Sequence, residues 1–331
     1  MIKALQRDLR ALGYLEHGID GNFGAGTEQA LRSLQYDLVH NAGTSTGGDG
    51  AAPVAVTSYN IDPATRNAAV TAVTGTLDQP TAGCIARMLE DAAFPKLPSA
   101  ADPAAENARA MAAVGAISSA IAPTPYIEAI VIQESSSRHF EVPTAIDEDN
   151  FVSIGLDRNG PPDAITSRGY GLGQYTIYHH PPRPEELDDF ILDPVRNVQR
   201  AYAELREKFD RWVLGPASRA DDRVAEHPLL SLRLCRYGLS DARYMRDCRT
   251  CAIQARKLMI TRGTPVYAGA SVSYQPTQYY TSAEYVGVPD RADFLCDWPY
   301  ALRRYNGSGI NSYHYQARVM PNLLLKPTAG S

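Results

Sequence analysis

Residues 125–140 read Pro-Tyr-Ile-Glu-Ala-Ile-Val-Ile-Gln-Glu-Ser-Ser-Ser-Arg-His-Phe, and this stretch decides the fold of the larger part of the chain. Ile127, Ile130 and Val131 recur at helical spacing, and Glu134 follows Val131 by three residues and Ile130 by four. The pattern predicts a helix that buries its apolar face and brings the Glu134 carboxyl to the edge of that face. A carboxyl held against apolar walls keeps its proton, because burial disfavours the charged form. Such a group can serve as a general acid near neutral pH.

Three further blocks extend outward from it. Residues 167–176 read Ser-Arg-Gly-Tyr-Gly-Leu-Gly-Gln-Tyr-Thr, in which alternating glycines let backbone approach a ligand and Tyr170 and Gln174 offer polar contacts. Asp193-Pro194-Val195-Arg196-Asn197-Val198 opens a long helix whose apolar side carries Val195, Val198, Tyr202, Leu205 and Phe209 and which reaches Trp212. Ala301-Leu302-Arg303-Arg304-Tyr305-Asn306-Gly307-Ser308-Gly309 lies near the C-terminus. In their order these blocks resemble the active-site core of the lytic transglycosylase and goose-type lysozyme group: Glu-Ser on a helix, a Gly-x-Gly-Leu-x-Gln wall, Asp-Pro-x-x-Asn and Ala-Leu-x-x-Tyr-Asn-x-Gly. The resemblance implies an α-helical, lysozyme-like (α+β) domain that cleaves the β-1,4 bond between N-acetylmuramic acid and N-acetylglucosamine. Glu134 would be the acid, and Ser135, Tyr170, Gly171, Leu172, Gln174, Tyr305 and Asn306 would contact the glycan. It implies no cofactor and no metal.

A second carboxylate opposite the acid could hold water. Asp157 is the best placed candidate, before Asp147 and Asp163. Goose-type lysozymes carry a further aspartate soon after the glutamine, where this chain has Tyr175-Thr176. That departure favours a lytic transglycosylase, which closes a 1,6-anhydro ring, over a hydrolytic muramidase. A wall-binding protein with a dead lysozyme-like domain is the rival from another class.

The N-terminal region reads as a separate unit. Ile2, Leu5, Leu9 and Leu12 form one stripe that stops at Gly13-Tyr14, and Gly18-Ile19-Asp20-Gly21-Asn22-Phe23-Gly24 makes a turn. Thr27 is expected to cap the next helix, with Ala30, Leu31, Leu34 and Leu38 on its apolar face. This resembles the three-helix peptidoglycan-binding module of cell-wall enzymes, with Asp20, Gly21, Phe23 and Thr27 at its characteristic positions. The third helix is delayed: the Gly/Ser/Thr/Ala-rich 41–60 reads as a flexible insertion, and the pattern resumes at Gly75, with Ile85, Met88 and Leu89 as a stripe. The module is therefore expected over 1–95 with an inserted loop at about 39–74. A proline-marked linker is expected over 96–106 and the catalytic domain over 107–331, with an alanine-rich helix near 104–121 leading to the Glu134 helix.

Composition narrows the remaining classes. The 331 residues are 44% hydrophobic and 21% charged, with net charge −5, which argues against a nucleic-acid partner. No apolar run is long enough for a membrane helix, and the charged N-terminus lacks the apolar core of a secretory signal. The expected setting is the periplasmic wall, reached by a phage lysis route or a specialised secretion system, with the protein acting as a monomer on glycan strands. Of the cysteines, Cys235, Cys248, Cys251 and Cys296 fall in the least readable segment, 213–300, where disulfides and reduced packing remain open alternatives; Cys84 stands apart as a buried small hydrophobe. Cys248-x-x-Cys251 finds no matching second pair for zinc. Tyr267, Tyr274, Tyr279, Tyr280 and Tyr285 suit either a sugar groove or strands, and His179-His180-Pro181-Pro182 reads as a surface turn.

Overall fold

Helical periodicity dominates the chain, and the computed structural model is correspondingly mainly α. It describes residues 1–16, 18–43, 54–116, 123–143, 149–157, 162–214, 298–307, 315–316 and 319–324. Asp147, the four C-terminal cysteines and the tyrosine-rich run lie outside them. The chain divides into two compact units, one of Met1–Ala110 with Arg138–Asn197, the other of Met111–Ser137 with the described residues from Val198 onward.

In the first unit, α1 (Ile2–Ala11), α2 (Ala25–His40) and α3 (Gln79–Glu90) enclose a core of Leu5, Leu9, Leu12, Leu31, Leu34, Leu38, Cys84, Ile85 and Met88. Helix α1 ends where Gly13 takes φ +81°, and the Tyr14 N–H returns to Leu9 O at 2.8 Å. Helix α2 starts earlier than expected. Gly24, in extended geometry, is its N-cap, and Thr27 is buried inside the first turn rather than capping it. Asp78 caps α3, its carboxylate accepting the Thr81 N–H at 2.8 Å.

The insertion is not a free loop where it is described. Val56 and Val70 join the core, and Asn60 Nδ2 donates to Leu38 O and Val70 O at 3.0 and 2.8 Å. The expected linker is also packed rather than loose. Leu97 is buried and its N–H donates to Ala11 O at 2.7 Å, while Ala100 and Asn150 exchange two hydrogen bonds of 2.8 and 2.7 Å. Backbone that finds fixed partners loses its freedom whatever its composition.

The same unit holds a three-stranded antiparallel sheet, β1 (Ile154–Asp157), β2 (Ser167–Tyr170) and β3 (Tyr175–Ile177), in that order, with Gly169 opposite both Gly155 and Thr176. It is bound to the helices by buried groups. Arg10, 1% exposed, donates to Val152 O at 3.1 Å and pairs with Glu141; Arg168 donates to Tyr14 O at 3.2 Å; Ile165 enters the helical core. His179, His180, Pro181 and Pro182 are buried, against the surface turn expected of them. Asn41 donates to His180 O at 2.8 Å, His179 pairs with Glu186 in the short α6 (Pro184–Glu186), and the Tyr14 ring meets His180 edge-on. Burial holds the His180 imidazole far below its ordinary pKa, so it stays neutral.

In the second unit, α5 (Thr124–Ser135) buries Tyr126, Ile127, Ala129, Ile130 and Val131. The second half of α7 (Pro194–Phe209) contributes Val198, Leu205 and Phe209, and α8 (Trp298–Tyr305) contributes Trp298, whose ring stacks on Phe209 with centroids 4.0 Å apart. Asn322, in a closing turn, donates to Ala129 O at 3.3 Å. Helix α4 (Pro103–Ala116) starts in the first unit and ends in the second.

Candidate active site

Glu134 stands in the last turn of α5. That helix stops because Ser136 adopts a left-handed φ of 54°, with the Ser136 and Ser137 N–H groups returning to Ile132 O and Val131 O. The Glu134 side chain is half-buried, and desolvation raises its pKa to about 7. The nearby Tyr315 hydroxyl opposes that rise in part. Tyr315 is buried, and its own hydroxyl is held far above the ordinary range, first by burial and then by the Glu134 charge. Its ring stacks with Tyr305 at 6.0 Å and 19°. The second unit therefore brings together a carboxyl whose pKa burial raises to about 7 and two tyrosines. Tyr315 escaped the sequence reading because no spacing ties it to Glu134.

The neighbouring expected contacts differ. Ser135 Oγ donates back to Val131 O at 3.1 Å, as helix serines do, and Asn306 is exposed just beyond α8.

The glycine-rich segment, in the first unit, does not present its side chains as expected. Tyr170 and Leu172 are fully buried, Tyr170 packing in the core beside Phe190. Gln174, at φ 46°, turns its amide onto its own hairpin, donating to Gly171 O at 2.8 Å and Ser153 O at 3.3 Å. The glycines make room for this packing. A Cβ on Gly155 or Gly169 would stand 2.7 or 2.9 Å from Gln174 Oε1, and one on Gly171 (φ +68°) would strike the His139 ring. Asn197 completes the lock, accepting from the Gly173 N–H at 2.9 Å and donating to Tyr170 O at 2.8 Å. Thus Tyr170, Leu172 and Gln174 build the hairpin, and the Asp-Pro-x-x-Asn block supplies its clamp.

Of the candidate second carboxylates, Asp157 ends β1 opposite Ser167. Asp163 is engaged: Arg32 meets it with two 2.8 Å hydrogen bonds that lower its pKa. Among the described residues no cluster of acidic, histidine or cysteine side chains could hold a metal ion.

In the helical module, Gln6 gathers the first turn. Its Nε2 donates to Asp20 Oδ1, Asn22 O and Thr27 Oγ1 at 2.8, 3.0 and 3.0 Å, and its Oε1 accepts the Gly21 N–H at 2.8 Å. Gln35 does the same one helix later, accepting from Thr74 N and Gly75 N and donating to Thr76 O and Thr81 Oγ1. Asp20, Gly21 and Thr27 are therefore parts of a closed turn, while Phe23 is 45% exposed beside it. Gln6 and Gln35 went unassigned in the sequence, although each ends a Leu-Gln pair.

Three short helices joined by two glutamine-clamped turns define a small all-α module. Residues 1–38 match the sequence model of a family described as a putative peptidoglycan binding domain. The chain thus carries an N-terminal peptidoglycan-binding module, and peptidoglycan is its partner. No curated protein and no solved structure matches the chain. No helix among the described residues is long and apolar enough to cross a membrane.

Proposed function

We propose that the protein cleaves peptidoglycan as a lytic transglycosylase, with Glu134 as its single acid and base. The observation that carries this reading is the Glu134 carboxyl, half-buried at the end of α5 with its pKa raised to about 7 by desolvation. A pKa near the working pH lets one group give a proton and take one back. Protonated Glu134 donates to the glycosidic oxygen as the bond from C1 of N-acetylmuramic acid breaks. The resulting carboxylate removes the proton of the same sugar's 6-hydroxyl, whose oxygen bonds to C1. Glu134 ends protonated, no water is consumed, and a 1,6-anhydro ring closes. The tethered hydroxyl carries a large effective-molarity advantage over free water. Thr176 stands where the resemblance would place a hydrolase's aspartate, and this favours the sugar's own hydroxyl over water as the nucleophile. The setting that fits is the bacterial wall, reached by phage lysis machinery or a specialised secretion system.

Zymography on purified peptidoglycan tests the proposal. Glu134→Gln keeps the volume and removes the transferable proton, so turnover should fall about 100-fold or more. Wild-type turnover should decline as pH rises above about 7, where Glu134 loses its proton. Mass spectrometry should find anhydro-muropeptides. Reducing ends would mean hydrolysis and turn attention to Asp157, and an inactive wild type would leave a wall-binding protein.

A further inference from the structure

Helices α1 and α3 do not close on each other along their whole length. A groove of about 260 Å³ lies between them, walled by Leu5, Leu77, Ile85 and Leu89 and edged by small residues such as the exposed Ala86. Asp8 is the only charged side chain in its lining. That carboxylate is half-buried and receives no hydrogen bond from any described residue; burial raises its pKa, and the charge of its neighbour Arg7 opposes the rise. Arg7 itself is paired with Asp149.

The lining selects among the components of peptidoglycan. Sugar rings are held by aromatic faces and by convergent polar side chains, and this groove has no aromatic wall. Its chemistry suits short aliphatic side chains beside one cation. The peptide stem has both, in its alanines and in the free ammonium of its diamino acid. We propose that the α1–α3 groove binds the peptide stem, with alanine methyls against Leu5, Ile85 and Leu89 and the ammonium on Asp8. The proposal rests on the reading of residues 1–38 as a peptidoglycan-binding module and is independent of catalysis. It places recognition partly on α3, which lies beyond those matched residues.

Calorimetric titration of the full chain tests it. The probes are a synthetic tetrapeptide, L-Ala–γ-D-Glu–diaminopimelate–D-Ala, its analogue with norleucine at the third position, and an N-acetylglucosamine oligomer. With both peptides acetylated at the N-terminus, the tetrapeptide should bind, and the norleucine analogue, which lacks the side-chain ammonium, about tenfold more weakly. Asp8→Asn should remove that preference. Ala86→Arg, on an exposed helix position, should abolish binding with an unchanged melting temperature. Equal affinity for the two peptides, tetrapeptide binding that survives Ala86→Arg, or competition by the sugar oligomer would each overturn the proposal. Failure of the wild-type chain to sediment with intact wall sacculi would instead count against the module reading itself, so the two failures can be told apart.

Discussion

The turn at Asp20–Thr27 and the turn that ends α5 at Glu134 both look, in sequence, like places that present polar groups to a ligand. They spend those groups differently. In the first, Gln6 satisfies Asp20, Gly21, Asn22 and Thr27 from within, and Gln35 repeats the device around Gly75 and Thr81. The glycine-rich hairpin follows the same rule through Gln174 and Asn197. In the second, Tyr315 stands beside the carboxyl among the described residues, and desolvation rather than pairing sets its proton affinity. Buried amides that join loops stabilise a fold, whereas a partly desolvated, weakly paired acid costs stability and is kept where chemistry uses it. A series of substitutions can break or sharpen this contrast.

The largest effect is expected at Gly171. Its φ of +68° is unfavourable for any residue with a Cβ, and that atom would lie 2.8 Å from Asn197 Nδ2 and closer still to the His139 ring. His139 cannot readily yield, because its Nε2 is hydrogen-bonded to Ile191 O at 2.8 Å and burial holds its pKa down at about 4. Gly171→Ala should cost about 3 kcal/mol or more in urea unfolding. A loss below about 1 kcal/mol would mean that the segment is open, as a ligand-facing loop would be. Next comes Gln6→Ala, which strands the Gly21 N–H and removes three donated bonds. It should cost about 2–3 kcal/mol and be mirrored by Gln35→Ala. A neutral result at either position would break the idea that the two clamps are equivalent.

Glu134→Gln tests the other side of the contrast through stability rather than turnover. The folded pKa, near 7, exceeds the ordinary value of 4.5, so the folded chain holds this proton more tightly than the unfolded one. That preference favours the fold fully below about pH 4.5 and is lost as pH rises through 7. The glutamine variant should therefore match wild type near pH 4 and exceed it by on the order of 1–3 kcal/mol at pH 8. Parallel melting curves across that range would show a carboxyl that is not desolvated.

Periodicity made much of this fold legible. The stripes of Leu5-Leu9-Leu12, Leu31-Leu34-Leu38, Ile127-Ile130-Val131 and Val198-Leu205-Phe209 lie buried on helices close to the expected bounds. The position of Glu134 at the edge of an apolar face followed from the same spacing. Long-range partnership was not legible. Pro95–Pro103 has the composition of a linker, yet Leu97 and Ala100 are held by Ala11 and Asn150. His179-His180-Pro181-Pro182 reads as surface until Asn41 and Tyr14 come to cover it. Gln174 carries a polar group suited to a sugar, and only the closeness of Gly155 and Gly169 shows that the hairpin uses it itself, while the Tyr170 ring packs beside Phe190. Composition sets what a residue can do, and distant partners decide what it does.

The smallest expected effect separates a structural aspartate from a chemical one. Asp163 is a reasonable water-holding carboxylate by sequence, but Arg32 grips both its oxygens at 2.8 Å, and Gln29 donates to Pro162 O beside it. The Arg32 hydrogen bonds lower the Asp163 pKa, so the pair's contribution is present above the ordinary carboxylate range and is lost as pH falls through the depressed value. Arg32 is 34% exposed, and water and salt screen such a pair strongly. Asp163→Asn should then leave wall cleavage within about twofold of wild type and shift the melting midpoint by no more than about 2 °C. The shift should shrink in 1 M salt and vanish in an Arg32→Ala background, because the two residues act through one contact. A hundredfold loss of cleavage at unchanged stability would make Asp163 a chemical group, and the line drawn here between side chains that build the fold and those left for catalysis would have to pass on its other side.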